Sequence, residues 1–443
     1  MVNAMDKITT SRYTFFVNSH DKFYLYNSLS NALIEVDKEL YVLLEKLKKN
    51  HSFYTPSIDT ESLFIDLKKD YFVTYNDEDD FLIYKSIIQS LRFQNSSMHL
   101  TLVPTMDCCF SCSYCFEKSK SKTHMSESVM DSIILFLSQQ KQVKYLRLTW
   151  FGGEPLMAID EIDMFYSKLE PLLDNLSFSS NIITTGYHLN EHAISVLKKA
   201  KVTSAQITLD GNKDSHNKVK YLNECDDVFS KVLDNIQLAT TLYPELEIVV
   251  RVNLTKDNAD EYSDLQRYIL NRFEGKKVSV APAIVLDRNG CSAANNLFSI
   301  SEYSNFILNL SKCNIDSPQI RYPKNSIREC AIRNKNAVAF DADGYFYKCW
   351  EHVGNSNYVV GKIEDSGKVN ILNPILMNRQ CFGADHLEDE RCRSCSYLPL
   401  CNGGCPIQRI ENKFENKSNI NCTFYKGVLD KYILEHIKRK MSV

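Results

Sequence analysis

Cys108, Cys112 and Cys115 stand at C-x3-C-x2-C spacing inside Cys108-Cys-Phe-Ser-Cys-Ser-Tyr-Cys115. Three thiolates in one short loop can hold three irons of a 4Fe–4S cluster, because soft sulfur ligands select iron–sulfur and zinc centres. The fourth iron would lack a protein ligand and stand open to a small molecule. A zinc knuckle is the competing reading. It takes four ligands in C-x2-C pairs, and here it would have to borrow Cys109 or a distant residue at awkward spacing.

A second array follows late in the chain: Cys330-x13-Gly344-x4-Cys349, then Cys392-x2-Cys395-x5-Cys401-x3-Cys405-x16-Cys422. One C-x2-C pair alone would suit a zinc ribbon. The chain has 443 residues and 15 cysteines, an odd number crowded at 108–115 and 330–422, which favours metal binding over disulfides. With 44% hydrophobic and 24% charged residues and a net charge of −3, it offers no electrostatic case for nucleic acid or an anionic membrane. No apolar run approaches the roughly 20 residues of a membrane helix. The start, Met1-Val-Asn-Ala-Met-Asp-Lys7, has no signal-peptide core. The expected location is cytoplasmic.

The elements that must position these cysteines alternate between the two periods. Apolar strands are expected at His99–Val103, Tyr145–Trp150, Asn181–Thr185, Ser204–Leu209, Glu247–Val252 and Lys277–Ala281. Helical stretches separate them, among them Ser126–Gln139, Ile159–Leu173 and Asn190–Lys199. Six βα units imply parallel strands with right-handed crossovers, in a doubly wound sheet or a partial barrel. Ahead of them, Tyr13–Val17 and Phe23–Tyr26 flank the turn Asn18–Asp21, and Ala32–Val36 offers a third strand. Asp37 then caps a helix over Lys38–Leu47; a helix near Thr60–Lys69 and a strand Tyr71–Thr74 follow. A last amphipathic helix is expected at Phe424–Lys440.

About 35 residues after the cysteine loop comes Leu148-Thr-Trp-Phe-Gly-Gly-Glu-Pro155. With Tyr114 in the aromatic slot of the cysteine motif, the sequence here resembles the radical S-adenosylmethionine (SAM) superfamily. Thr184-Thr-Gly186 stands where that family usually has Thr-Asn-Gly, and Leu209-Asp-Gly211 with His216 resembles its segment after the fourth strand. Cys109 departs from the usual Asn and reads as a non-ligand. The resemblance implies a (β/α)6 partial TIM barrel, with chemistry at the C-terminal ends of the strands. It implies that Cys108, Cys112 and Cys115 hold a SAM-binding 4Fe–4S cluster that yields a 5′-deoxyadenosyl radical. It places Tyr114, Gly152, Gly153, Glu154, Pro155, Thr185, Arg251 and Asn253 around SAM, with Glu154 pairing with the SAM ammonium.

The seven later cysteines resemble the SPASM domain of peptide-modifying relatives. That likeness implies a distal auxiliary 4Fe–4S cluster on Cys392, Cys395, Cys401 and Cys422, and a proximal one on Cys330, Cys349 and Cys405. Cys313 is the nearest upstream thiol for the proximal cluster's fourth ligand; otherwise one iron is open. Cys225, Cys291 and Cys381 have no motif role. The front of the chain resembles the winged-helix-like element that captures peptide leaders by strand addition. The expected organisation is therefore a small α+β leader-recognition domain (1–95), a radical SAM core (96–290), a connector (291–329) and a cysteine-rich SPASM domain (330–443).

The implied activity is maturation of a ribosomally made precursor peptide by a thioether or carbon–carbon crosslink. An electron donor such as flavodoxin or ferredoxin would be a partner. An anaerobic sulfatase-maturating enzyme, which makes formylglycine, is the alternative of the same class. A zinc-stabilised binding scaffold is the non-enzymatic one.

Overall fold

Runs of β-branched and aromatic residues with a two-residue period form the strands that carry the site. A computed structural model describes residues 7–441 apart from 76, 116, 118–120, 287–295, 313–314, 316–321 and 326. Cys291 and Cys313 lie outside the described residues. The chain divides into two compact units, one of residues 1–93, 300–330 and 382–443, the other of residues 94–299 and 331–381.

In the first unit β1 (Thr9–Thr10) pairs with β5 (Val73–Thr74), while β2 (Thr14–Ser19), β3 (Lys22–Asn27) and β4 (Leu33–Val36) form an antiparallel sheet in that order. The β2–β3 turn contains His20 at φ 54°. Asp37 caps α1 (Lys38–Asn50) by accepting from the Leu40 N–H at 2.7 Å, as its short side chain before an apolar period predicts. With α2 (Glu61–Lys69), these elements close a core of Leu25, Tyr41, Leu44, Phe64, Leu67 and Phe72.

The chain also forms α3 (Asp77–Phe93), absent from the expected elements although Phe81, Tyr84 and Ile88 recur at helical spacing. Those three pack with Tyr13, Leu29, Leu387 and Leu398. Near its end the buried Arg92 pairs with Glu329 and Asp385 at 2.8 and 2.7 Å. Further helices of this unit include Ile300–Lys312, inside the expected connector, Pro406–Phe414 and Leu429–Met441.

The second unit holds the six expected strands, β6 (Ser97–Leu102), β7 (Tyr145–Trp150), β8 (Ser177–Thr184), β9 (Val202–Leu209), β10 (Glu247–Leu254) and β11 (Val278–Ile284). All are parallel and lie side by side in chain order. Between them run α4 (Glu127–Ser138), α5 (Ile159–Leu169), α6 (Glu191–Lys199), α7 (Lys213–Val219), α8 (Val228–Leu242) and α9 (Tyr262–Arg272). The result is the α/β partial barrel that the spacing allowed and the resemblance implied. Along β10 the residues Ile248, Val250, Val252 and Leu254 are buried, while Val249, Arg251 and Asn253 between them are half-buried on the other face. Strand alternation thus puts Arg251 and Asn253 side by side.

The sheet continues past β6. β12 (Ala337–Phe340) pairs with β6 in parallel, and β13 (Tyr345–Tyr347), β14 (Gly361–Ile363) and β15 (Val369–Ile371) extend it antiparallel to ten strands. The β12–β13 hairpin turns through Asp341-Ala-Asp-Gly344, where Gly344 has φ 77°.

Candidate active site and cluster-binding residues

Backbone hydrogen bonds fix the first cysteine loop to the end of β7. Gly153 and Glu154 donate their N–H groups to the carbonyls of Thr105 and Asp107 at 3.3 and 2.8 Å. A methyl group at Gly152 would lie 2.4 Å from the Thr105 oxygen, and one at Gly153 would lie 2.3 Å from that of Asp107. The two glycines therefore admit the chain leading into Cys108. Asp107 Oδ1 in turn accepts from the Cys108 N–H at 2.9 Å.

Glu154 is fully buried. Its Oε1 accepts from the Leu156 N–H (3.0 Å) and the Thr184 hydroxyl (2.6 Å), and its Oε2 from the Thr185 N–H (2.8 Å) and hydroxyl (2.5 Å). Four donors fill the four lone-pair sites of a carboxylate. Glu154 thus ties the ends of β7 and β8 together, and a ligand ammonium would have to displace a threonine hydroxyl to reach it. Pro155 opens the short helical turn Pro155–Ala158 that follows.

On the other flank Tyr114, between Cys112 and Cys115, reaches the ends of β9 and β10. Its hydroxyl donates to Asp210 Oδ1 at 2.5 Å, and Asn253 Nδ2 donates to the Tyr114 oxygen at 3.1 Å and to Asp210 at 3.4 Å. Arg251 Nε donates to Asn253 Oδ1 at 3.1 Å. Asp210 also holds a buried ion pair with Lys220. Burial pushes the Asp210 carboxyl up, but Lys220 and His216 outweigh it and hold it below the usual range. Burial likewise opposes the charge on Lys220, and Asp210 with the thiols of Cys112 and Cys108 raises its pKa overall. Both groups are therefore charged.

His216 is a different case. Burial and Lys220 lower it to about 3, so it is neutral, and its Nδ1 accepts the Asp210 N–H at 3.2 Å. It serves the fold of the loop after β9. Lys220 escaped the sequence reading, although it follows His216 by four residues on the same short helical segment.

Cys108, Cys109, Cys112 and Cys115 are half-buried. Cys109 bonds the Cys108 thiol, which with burial raises its pKa. Among the described residues no three His, Cys, Asp or Glu side chains converge on one metal ion. A 4Fe–4S cube asks less, since each thiolate binds a separate iron. Three soft donors on one loop, braced on both sides and beside a buried cation, fit such a group. Phe110, fully buried, meets Tyr187 edge-on at 5.6 Å. Phe151, just before Gly152, stacks on Trp350 at 5.7 Å.

The distal set is assembled by the first unit. The Cys401 thiol is pushed up to about 12 by burial and by its neighbours Cys395, Cys392 and Cys422, against a Gly403 N–H that lowers it. Four thiols gathered this closely fit a cluster that would bind them as thiolates. Two glycines bring them together. A Cβ at Gly403 would lie 2.2 Å from that of His386, and one at Gly404 would lie 2.1 Å from the Asn421 oxygen. Beneath them, the Tyr84 hydroxyl from α3 donates to Asn402 at 2.6 Å and meets His386 Nε2 at 3.1 Å. Of the expected proximal set, Cys330 and Cys405 belong to the first unit and Cys349 to the second.

Residues 102–269 match the family described as the Radical SAM superfamily, so this stretch is a radical SAM domain, and the chain is an enzyme built around it. That family works with a 4Fe–4S cluster and SAM. The radical SAM cyclopropyl synthase TigE of Paramaledivibacter caminithermalis is 21% identical, over 98% of this chain and 97% of its own. A cysteine-type anaerobic sulfatase-maturating enzyme of Clostridium novyi is 24% identical over 76% of this chain and 96% of its own. Two solved structures share the fold. Native anSMEcpe with bound AdoMet and the Cp18Cys peptide has a TM-score of 0.57 and 21% identity, covering 78% of this chain and 98% of its own. Streptococcus suis SuiB bound to its precursor peptide SuiA has a TM-score of 0.54 and 14% identity, covering 95% of this chain and 100% of its own.

Proposed function

We propose that this enzyme matures a ribosomally made peptide by oxidative bond formation, removing two hydrogens to close a thioether or carbon–carbon bond. The observation that carries the reading is coverage: TigE and SuiB match nearly the whole length of the chain, whereas the sulfatase-maturating relatives match about three quarters of it. The front of the chain holds the three-stranded sheet whose edge strand β4 has no further strand partner among the described residues. An open edge of this kind can take an extended leader as an added strand.

In this reading Cys108, Cys112 and Cys115 hold the cluster that, with SAM, supplies a carbon radical able to abstract hydrogen from an unactivated C–H bond. Tyr114, Gly152, Gly153, Glu154, Pro155, Thr185, Arg251 and Asn253 surround it. The Gly152–Gly153 turn and the Tyr114–Asp210 bond hold the loop, Lys220 sets a positive charge beside it, and Phe110, Phe151 and Trp350 supply apolar walls that exclude water. Cys392, Cys395, Cys401 and Cys422 hold a distal auxiliary cluster, and Cys330, Cys349 and Cys405 a proximal one. A flavodoxin or ferredoxin delivers electrons.

The test is anaerobic incubation of reconstituted, reduced enzyme and SAM with the short peptide encoded beside its gene. Loss of two hydrogens from the full precursor, and none from a leaderless core peptide, is the expected result. An aldehyde replacing a thiol on a leaderless sulfatase peptide would reassign the enzyme to sulfatase maturation.

A further inference from the structure

Arg409 sits four residues after Cys405 on the helix Pro406–Phe414. Its side chain is 10% exposed, and every nitrogen of its guanidinium is engaged. Nε donates to the Ala384 carbonyl at 2.9 Å and Nη2 to Asp389 Oδ2 at 2.8 Å. Nη1 is shared between the Gly403 carbonyl and Cys392 Sγ, each at 3.4 Å. Asp389 also holds Cys392 through its backbone, since its carbonyl accepts the Cys392 N–H at 2.9 Å. One planar cation thus locks together the segments around 384–389, 392 and 403, with one N–H left for sulfur. The exposed Lys426 approaches Cys422 more loosely, at 3.7 Å.

We propose that Arg409 is the positioning residue of the distal auxiliary cluster, orienting Cys392 and raising the cluster's reduction potential through an N–H···S bond. The inference rests on the distal ligand set given above. Its physical basis is general. Reduction adds a negative charge that spreads over the thiolate sulfurs, and a donor aimed at one of them stabilises the reduced state more than the oxidised one. Arginine cannot lose its proton, so the effect persists at every working pH. A packing role alone would change how much iron is held, without moving the potential of the iron that remains.

The test is an EPR-monitored redox titration of the reconstituted full-length chain carrying Cys108→Ala, Cys112→Ala and Cys115→Ala, which leaves the auxiliary signals. Arg409→Met is expected to lower the potential of one signal by about 59 mV, a tenfold change in a one-electron equilibrium. Arg409→Lys should fall between, and Asp389→Asn, which removes an anion, should move the potential the other way. If Arg409→Met fails to hold the cluster, Arg409→Lys decides. A potential equal to that of the parent, with the same iron content, overturns the proposal. Cys392→Ser separates the two levels of the argument. If it costs no iron, the ligand assignment fails and the inference with it. If it removes a cluster whose potential the Arg409 variants leave unchanged, only the inference fails.

Discussion

The phenol of Tyr114 and the carboxylate of Asp210 are joined at 2.5 Å, linking the cysteine loop after β6 to the turn after β9. The bond couples the position of Cys112 and Cys115 to a buried, charged network rather than to flexible loop backbone. Burial and Asp210 raise the phenol's pKa well above its ordinary value, so it stays a donor.

Replacing Tyr114 by Phe therefore leaves a buried carboxylate oxygen with only the longer contact to Asn253. We expect a loss of about 1.5–3 kcal/mol, the usual penalty for a hydrogen bond to a charged group. The apo chain should unfold at lower denaturant, and the reconstituted chain should bind less iron. An unchanged midpoint with full iron content would show that the bond positions nothing.

Lys220→Met strands the Asp210 charge, and breaking such a buried pair costs about 3–5 kcal/mol. Adding Asp210→Asn removes the stranded charge and should restore most of the stability in a denaturant titration near neutral pH. If the double variant is no better than the single one, the pair is not what stabilises this turn.

Gly153→Ala places a methyl group 2.3 Å from the Asp107 oxygen, whereas the same substitution at Gly275 (φ 73°) meets nothing within 4 Å. Gly275→Ala should cost about 1 kcal/mol of backbone strain and bind iron normally. Gly153→Ala should displace the chain entering Cys108 and lower iron retention at the first loop several-fold. Iron analysis in a variant lacking Cys330, Cys349, Cys392, Cys395, Cys401, Cys405 and Cys422 isolates that loop from both auxiliary sets.

Asp341 supplies a pH-dependent check on the β12–β13 turn. Its carboxyl lines a cavity of about 450 Å³ with Met106, Thr123 and Tyr347. Burial pushes it up to about 6, against the N–H of Tyr345 and the hydroxyl of Tyr347. An unfolded aspartate titrates near 4, so between about pH 4 and 6 the folded chain holds the extra proton and its stability falls as pH rises. Above about 6 the full cost remains. Asp341→Asn lacks this slope and should gain on the order of 1–3 kcal/mol over the wild type between about pH 4 and 7. Parallel stability curves would remove the effect from Asp341.

The barrel was legible because its strands and helices announce their periods, and because the cysteine spacings are sparse enough to be read one by one. The N-caps at Asp37, Ser126 and Asn190 lay where the expected helices begin. What escaped depends on contacts between distant segments. Ala337–Phe340 is too short to reveal which edge it joins, and only its parallel register with His99–Leu102 makes it part of the main sheet. Gly152 and Gly153 admit the chain before Cys108, and the threonines ending β8 donate to the Glu154 carboxylate, contacts that no spacing in the sequence announces. Lys220 and Arg409 are ordinary cations in sequence, and nothing local says that one is buried against Asp210 and the other aimed at a sulfur.

The strand that carries the first cysteine loop lies between β7, which the ribosome makes soon after it, and β12, which emerges only after all the other barrel strands. Until β12 arrives, β6 remains an unpaired edge on that side. The cradle for the first iron–sulfur group is then completed late, so its metallation is expected to follow synthesis rather than accompany it. A nascent chain stalled before residue 337 should leave that loop open to thiol-reactive labels.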